Sequence, residues 1–218
     1  MAMFVGRGNA LGHPMTMDSA ADHIFGLVVM NDWSARDIQK WEYVPLGPFG
    51  AKNFGTTISP WVVTMDALEP FRCAGPAQSD VPLLDYLQEP NPYSFDINLT
   101  VAIQGANMPE PGLVATTNMK NMYFSVRQQL VHHTVTGCNM MPGDLLGTGT
   151  ISGPTPDSVG SMIEASWGGK NDIKLGDSGE TRKFLQDGDT VLMRGFAQGD
   201  GFRIGFGKCD GKVVPSLP

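Results

Sequence analysis

This sequence lacks any long apolar run: nothing in its 218 residues approaches the roughly 18 consecutive apolar positions that a membrane-spanning helix requires. Its first residues carry neither the basic stretch nor the apolar segment of a secretory signal, so a cytosolic protein that meets no membrane is expected. Cysteine is scarce. Cys73, Cys138 and Cys209 are odd in number, widely spaced and without a Cys-x-x-Cys pair, so neither a disulfide framework nor a zinc site is indicated and reduced thiols are expected. Positive charge is also short. Fifteen Lys and Arg against 22 Asp and Glu leave a formal charge of -7, whereas binding nucleic acid depends on a concentrated basic surface. Internal repeats, low-complexity tracts and a linker between autonomous halves are missing as well. What remains is an ordinary globular composition, read as one β-rich domain over residues 1–218.

The strands are legible by their period. Phe95, Ile97, Leu99, Val101 and Ile103 alternate with Asp96, Asn98, Thr100 and Ala102, the pattern of a strand with one face in the core. Asp187-Gly-Asp189 and Gly199-Asp-Gly201 bracket Thr190 to Gln198 and precede Phe202 to Phe206, which predicts a closing hairpin. Between these, Thr117 or Asn118 is placed as the cap of a helix through about His133, with Met119, Met122, Tyr123, Val126 and Leu130 on one stripe. The stretch from Leu68 to Pro92 holds Pro70, Pro76, Pro82, Pro90 and Pro92 and is predicted to be mostly loop.

The passage from Phe25 to Thr56 concentrates the polar chemistry. An apolar run from Phe25 to Met30 reads as a buried strand, and Asn31-Asp32 ends it, leaving Asp32 at a strand terminus. Ser34 and Asp37 have capping-box spacing and start a short helix to about Tyr43, which Pro45 stops. Arg36, Gln39 and Tyr43 then share one helical face. Polar residues at this spacing usually only meet water. Here, however, a strand-end aspartate stands nearby, and Gly47, Gly50 and Gly55 surround Lys52 with backbone that can approach a ligand, followed by Thr56. Read from the residues alone, Asp32 either caps the turn or holds a cation, and one carboxylate does not make a calcium or magnesium site.

The residues Asn31-Asp-Trp-Ser-Ala-Arg-Asp-Ile-Gln-Lys-Trp-Glu-Tyr-Val-Pro-Leu-Gly-Pro48 resemble the fumarylacetoacetate hydrolase family. The resemblance continues through Ile58-Ser-Pro-Trp-Val-Val63, Tyr93-Ser-Phe-Asp-Ile-Asn-Leu99, Gln128-Gln-Leu-Val-His-His133, Gly137-Cys-Asn139, Pro142-Gly-Asp-Leu-Leu146, Gly149-Thr-Ile-Ser-Gly-Pro154 and Gln198-Gly-Asp-Gly-Phe-Arg-Ile-Gly-Phe-Gly207. It covers essentially the whole chain. Acylpyruvate and hydroxymuconate hydrolases and isomerases share the Asn-Asp-x-Ser-Ala-Arg-Asp core, but the extension from Ile38 to Pro48 is similar to the branch that acts on fumarylacetoacetate itself.

The resemblance implies a mixed, β-rich α+β fold of β-sandwich or β-roll type with few helices. It implies metal-dependent hydrolysis of a carbon-carbon bond in a diketo dicarboxylate, in tyrosine and phenylalanine breakdown, by a cytosolic homodimer using Ca2+ and Mg2+. Asp32 then corresponds to a metal ligand, and Lys52 and Thr56 to the magnesium position. Since a protonated amine has no lone pair, Lys52 is expected to act there by its charge or its carbonyl. Arg36, Gln39 and Lys52 correspond to donors around a developing oxyanion, and Gln39, Tyr43 and Thr150 to substrate contacts. Glu164, which alternates with Ile163, Ala165 and Trp167 on a predicted strand, corresponds to the carboxylate that orients a histidine. Arg36, Lys40 and Lys52 are the local cations that must overcome the overall negative charge. His132 and His133 diverge by about 100° on one helix and are expected to be structural.

The pattern also has gaps. The family's catalytic histidine, a further metal-binding aspartate, two metal-binding glutamates and substrate-contacting tyrosine and arginine lie before the segment that Met1-Ala-Met-Phe-Val-Gly6 resembles, as do a small barrel domain and the first catalytic-domain strands. The fold is therefore expected to be incomplete at its N-terminus, with open sheet edges, and the chain inactive by itself. The alternatives are a non-catalytic binding or regulatory form of the same fold, and a hydrolase of a related acylpyruvate.

Overall fold

The computed structural model describes residues 1–89 and 91–217. Its strands are β1 (Ala2–Val5), β2 (Ile24–Val28), β3 (Met30–Asp32), β4 (Thr56–Ile58), β5 (Val63–Thr64), β6 (Arg72–Ala74), β7 (Tyr93–Phe95), β8 (Ile97–Gln104), β9 (Gly112–Asn118), β10 (Leu145–Gly147), β11 (Ile173–Lys174), β12 (Thr181–Arg182), β13 (Thr190–Gln198) and β14 (Arg203–Lys212). Short helices α1 (Ala20–His23), α2 (Arg36–Glu42), α3 (Gly50–Asn53), α4 (Met65–Leu68), α5 (Val126–Thr134) and α6 (Met162–Ala165) connect them. The β-rich α+β class is as predicted.

Two antiparallel four-stranded sheets, ordered β10-β1-β2-β5 and β14-β13-β8-β9, dominate. The inward faces of both feed one core: Met3, Leu27 and Val29 from the first side meet Ile97, Leu99, Ala197 and Phe206 from the second. Each of these side chains other than Ala197 contributes about 1.5–3 kcal/mol when fully buried. The predicted alternation of β8 holds, since Ile97, Leu99 and Ile103 are buried. The closing hairpin is also present, with Thr190 opposite Lys212 and Gln198 opposite Arg203, so its second strand runs past Phe206 to Lys212. Gly201 takes φ +75 in the turn, a conformation suited to glycine.

Four local expectations need correction. The predicted helix over 117–133 is a strand, a single 3-10 turn (Met119–Asn121) and only then α5. β-Branched Thr116 and Thr117 join the ladder of β8 instead, and Asn118 caps the 3-10 turn by accepting from the Lys120 amide at 3.0 Å. The cap of α5 is Ser125, in a capping box with Gln128. The proposed Ser34–Asp37 box is absent, because the cap position falls on Ala35 and Ser34 Oγ turns back to the carbonyl of Asp32. Asn31 and Asp32 do not break a strand but form β3, where Asn31 pairs with Thr57 across to β4. Finally, Glu164 lies on α6, not on a strand. The proline-rich stretch contains β6 and two 3-10 turns, Glu69–Phe71 and Asp85–Leu87, between irregular segments; Pro90 lies outside the described residues.

Candidate active-site cleft

The Asp32 carboxylate stands at the end of β3, opposite Thr56 of β4. Trp33 Nε1 donates to Thr57 Oγ1 at 2.8 Å, and the Ala35 amide donates to the Ala51 carbonyl at 2.9 Å. These bonds pin the start of α2 against α3 and so bring Lys52 to Asp32: Nζ lies 2.8 Å from Oδ2 and donates weakly to the Asp32 carbonyl at 3.4 Å. On α2, Arg36 Nη1 donates to Gln39 Oε1 at 2.9 Å, as the i, i+3 spacing predicted. The Arg36 Nε atom is buried and has no protein partner.

Glu42, on the other face of α2, is a structural residue that the sequence reading missed. Its carboxylate accepts from the backbone amides of Phe49 at 2.6 Å, Gly50 at 3.1 Å and Ala51 at 2.8 Å. The Ala51 and Phe49 bonds hold its pKa below the ordinary carboxylate range. These contacts fix the loop that delivers Lys52. They span seven to nine residues with no helical or strand period, so no local pattern announced them.

Asp32, Arg36, Gln39, Tyr43, Lys52 and Thr150 all line one cleft of about 1650 Å3. Part of its wall is apolar, built by Leu99, Val101, Ile103, Val114, Val191 and Met193. Gly149, at φ +76, turns the chain after β10 so that Thr150 reaches this space. Two expected residues are not brought in. Thr56 is exposed, does not line the cleft, and meets Asp32 only across the β3–β4 ladder. Exposed Glu164 also lies outside the lining and accepts from Ser152 Oγ at 2.7 Å, so within the described residues it orients a serine and not a histidine.

Among the described residues, no histidine lines the cleft. His132 Nδ1 lies 2.9 Å from the Tyr86 hydroxyl, with the rings stacked, while His133 Nε2 lies 3.8 Å from Cys138 Sγ. Cys209 is buried beneath β4, where burial pushes its thiol pKa up. Calcium or magnesium does not fit this chain's residues alone. Among the described residues no three His, Cys, Asp or Glu side chains cluster as a cation site, and the Asp32 carboxylate is occupied by an ammonium.

The model for the fumarylacetoacetate (FAA) hydrolase C-terminal region fits residues 1–214, and the chain belongs to that family. Among individual relatives, the Fumarylacetoacetase of Bos taurus is 60% identical over 217 residues, and that of Arabidopsis thaliana 56% over 218; each match covers all of this chain and 51% of the relative. The chain thus spans about half the length of these curated relatives. Solved structures show the same fold at low identity. A yeast fumarylacetoacetate hydrolase family protein aligns with TM-score 0.53 at 16% identity, over 98% of this chain and 64% of its own. A 5-carboxymethyl-2-hydroxymuconate delta-isomerase from Mycobacterium smegmatis aligns at 0.51 and 19%, over 100% and 57%.

Proposed function

We propose that this chain supplies the donor-bearing part of a hydrolase that splits fumarylacetoacetate into fumarate and acetoacetate. The observation behind the reading is the convergence of Arg36, Gln39, Tyr43, Lys52 and Thr150 on one cleft, in a chain 60% identical to a Fumarylacetoacetase. In the reaction, water adds to the ketone carbon beside the bond to be broken. The resulting tetrahedral oxyanion collapses, the carbon-carbon bond breaks, and acetoacetate leaves as an enolate that takes up a proton. Two cations, Arg36 and Lys52, meet the charge that develops on oxygen, and in a cleft with an apolar wall they act in a lowered dielectric. Gln39 holds Arg36 in place. The hydroxyls of Tyr43 and Thr150 contact the substrate, whose carbon chain lies on the apolar wall.

Water activation requires a base, and among the described residues the cleft offers no histidine. In this reading the base and the remaining ligands of a Ca2+ or Mg2+ ion come from polypeptide outside these 218 residues, in a cytosolic homodimer. No step is assigned to a metal held by Asp32 alone. The 218-residue chain, supplied with calcium or magnesium, is therefore expected to consume fumarylacetoacetate at the background rate, followed by loss of the diketone absorbance. It is also expected to bind the substrate, with Arg36→Met weakening binding at least ~10-fold in calorimetry, as loss of a charge-assisted contact does. Turnover above background overturns the assignment of the base, and equal binding by both proteins overturns the role of Arg36.

A further inference from the structure

Viewed down the axis of α2, each residue stands about 100° from the one before it. Lys40 therefore falls about 40° from Arg36, closer than Gln39, which falls about 60° to the other side. Both line the cleft with Arg36 and Tyr43, while Ile38, Trp41 and Glu42 do not. Lys40 is thus part of the helix face that the proposed reaction uses, yet no step of that reaction employs it. A cation in the last turn of a helix also complements the helix dipole, but that role requires no particular face.

The ion pairs among the described residues engage Lys52, Arg72, Lys120, Arg127, Arg182 and Arg194, and none engages Lys40. Asp37, three residues earlier on α2, also lines the cleft but forms no ion pair with it. The Lys40 ammonium can therefore meet an anion from outside the chain. Arg36 and Lys52 are assigned to the oxygen that becomes charged, so neither is left for a carboxylate end of the substrate. Four residues at 1.5 Å of rise each place Lys40 about 6 Å beyond Arg36 along the α2 axis. The substrate carries a carboxylate at each end. In its fumaryl half a trans double bond fixes the distance between that carboxylate and the attacked carbon, whereas the acetoacetate half turns freely at its methylene carbons. A fixed helical spacing suits the rigid half, because little conformational freedom is lost in matching it.

We infer that Lys40 binds the carboxylate of the fumaryl half, so that the substrate lies along α2 with its attacked ketone at Arg36 and its unsaturated end toward Lys40. The product fumarate then spans the same two points, with its newly formed carboxylate at Arg36 and Lys52. The inference rests on the hydrolase reading and adds to it the direction in which the substrate lies.

The test titrates fumarate, its cis isomer maleate and acetoacetate separately into the 218-residue chain and follows the backbone amide shifts by NMR. The unaltered chain is expected to bind fumarate at least ~10-fold more tightly than maleate, whose carboxylates lie too close together to reach both points. Lys40→Met is expected to weaken fumarate binding at least ~10-fold, as loss of a charge-assisted contact does, while Lys40→Arg stays within about threefold and acetoacetate binding is unchanged in both. If Lys40→Met loses the native amide spectrum, Lys40→Gln carries the same comparison. Equal fumarate binding by the unaltered chain and the neutral variant, loss of acetoacetate binding in that variant, or maleate bound as tightly as fumarate each overturns the proposal. If fumarate binding falls in Arg36→Met but not in Lys40→Met, the hydrolase reading stands and only the role of Lys40 is lost. An unaltered chain that binds neither fumarate nor acetoacetate refutes that reading itself, and this inference with it.

Discussion

Among single residues, Asp189 has the clearest measurable consequence. Its buried carboxylate accepts from Arg182 Nε at 2.9 Å, Arg182 Nη2 at 3.0 Å and the Gln186 amide at 2.9 Å. Removing one member of a buried, hydrogen-bonded ion pair leaves the other charge uncompensated. Asp189→Asn is therefore expected to cost about 3–5 kcal/mol, read as a lower midpoint in urea unfolding, and an unchanged midpoint would refute the assignment. The residues of the cleft were unevenly legible. Arg36, Gln39 and Tyr43 could be placed on one face from helical spacing alone. Lys52 could not, because its approach to Asp32 depends on the Glu42 latch, and Thr56 and Glu164 were carried only by family resemblance, which says nothing of where a side chain points.

At the level of elements, the loop between α2 and α3 hangs on a single carboxylate. Glu42 satisfies three amides at the start of α3, whose four residues cannot sustain a helix by propensity. Glu42→Gln keeps the shape but removes the charge from these bonds. Exchange at the Phe49, Gly50 and Ala51 amides should accelerate in the variant, while α5, which has its own capping box, stays unchanged. In the unaltered chain the same amides should loosen as the pH falls through the lowered pKa of Glu42, since its ionised form makes the stronger acceptor. Uniform exchange at all pH values would remove the latch from the account. Strong period-two elements such as β8 and the β13–β14 hairpin were readable because one face of each is in the core. The helix over 117–133 was misread for a related reason. Met119, Met122 and Val126 do face inward, but from a 3-10 turn, an irregular link and a helix in succession, and a stripe of apolar residues does not reveal that its backbone changes state.

For the whole molecule, the decisive fact is that two sheets share one core. Exposed Trp41, Leu46 and Phe49 add apolar surface near the cleft. The sharing of one core was not legible from composition, because it is a property of how the sheets pack and not of any residue. The shared core makes its own prediction. Phe206 belongs to β14 of the second sheet, yet it is fully buried in the cluster that includes Met3 and Leu27 of the first. Truncating it to alanine leaves a cavity that both sheets line and should cost about 3–5 kcal/mol. If the sheets unfold together, Phe206→Ala shifts one denaturant transition to lower concentration without changing its slope, and backbone and aromatic circular dichroism report the same midpoint. If the first sheet instead melts independently, the two signals separate and the slope falls. Coincident transitions in the unaltered chain, preserved in the variant, would mean that the shared core holds the two sheets together as one cooperative unit.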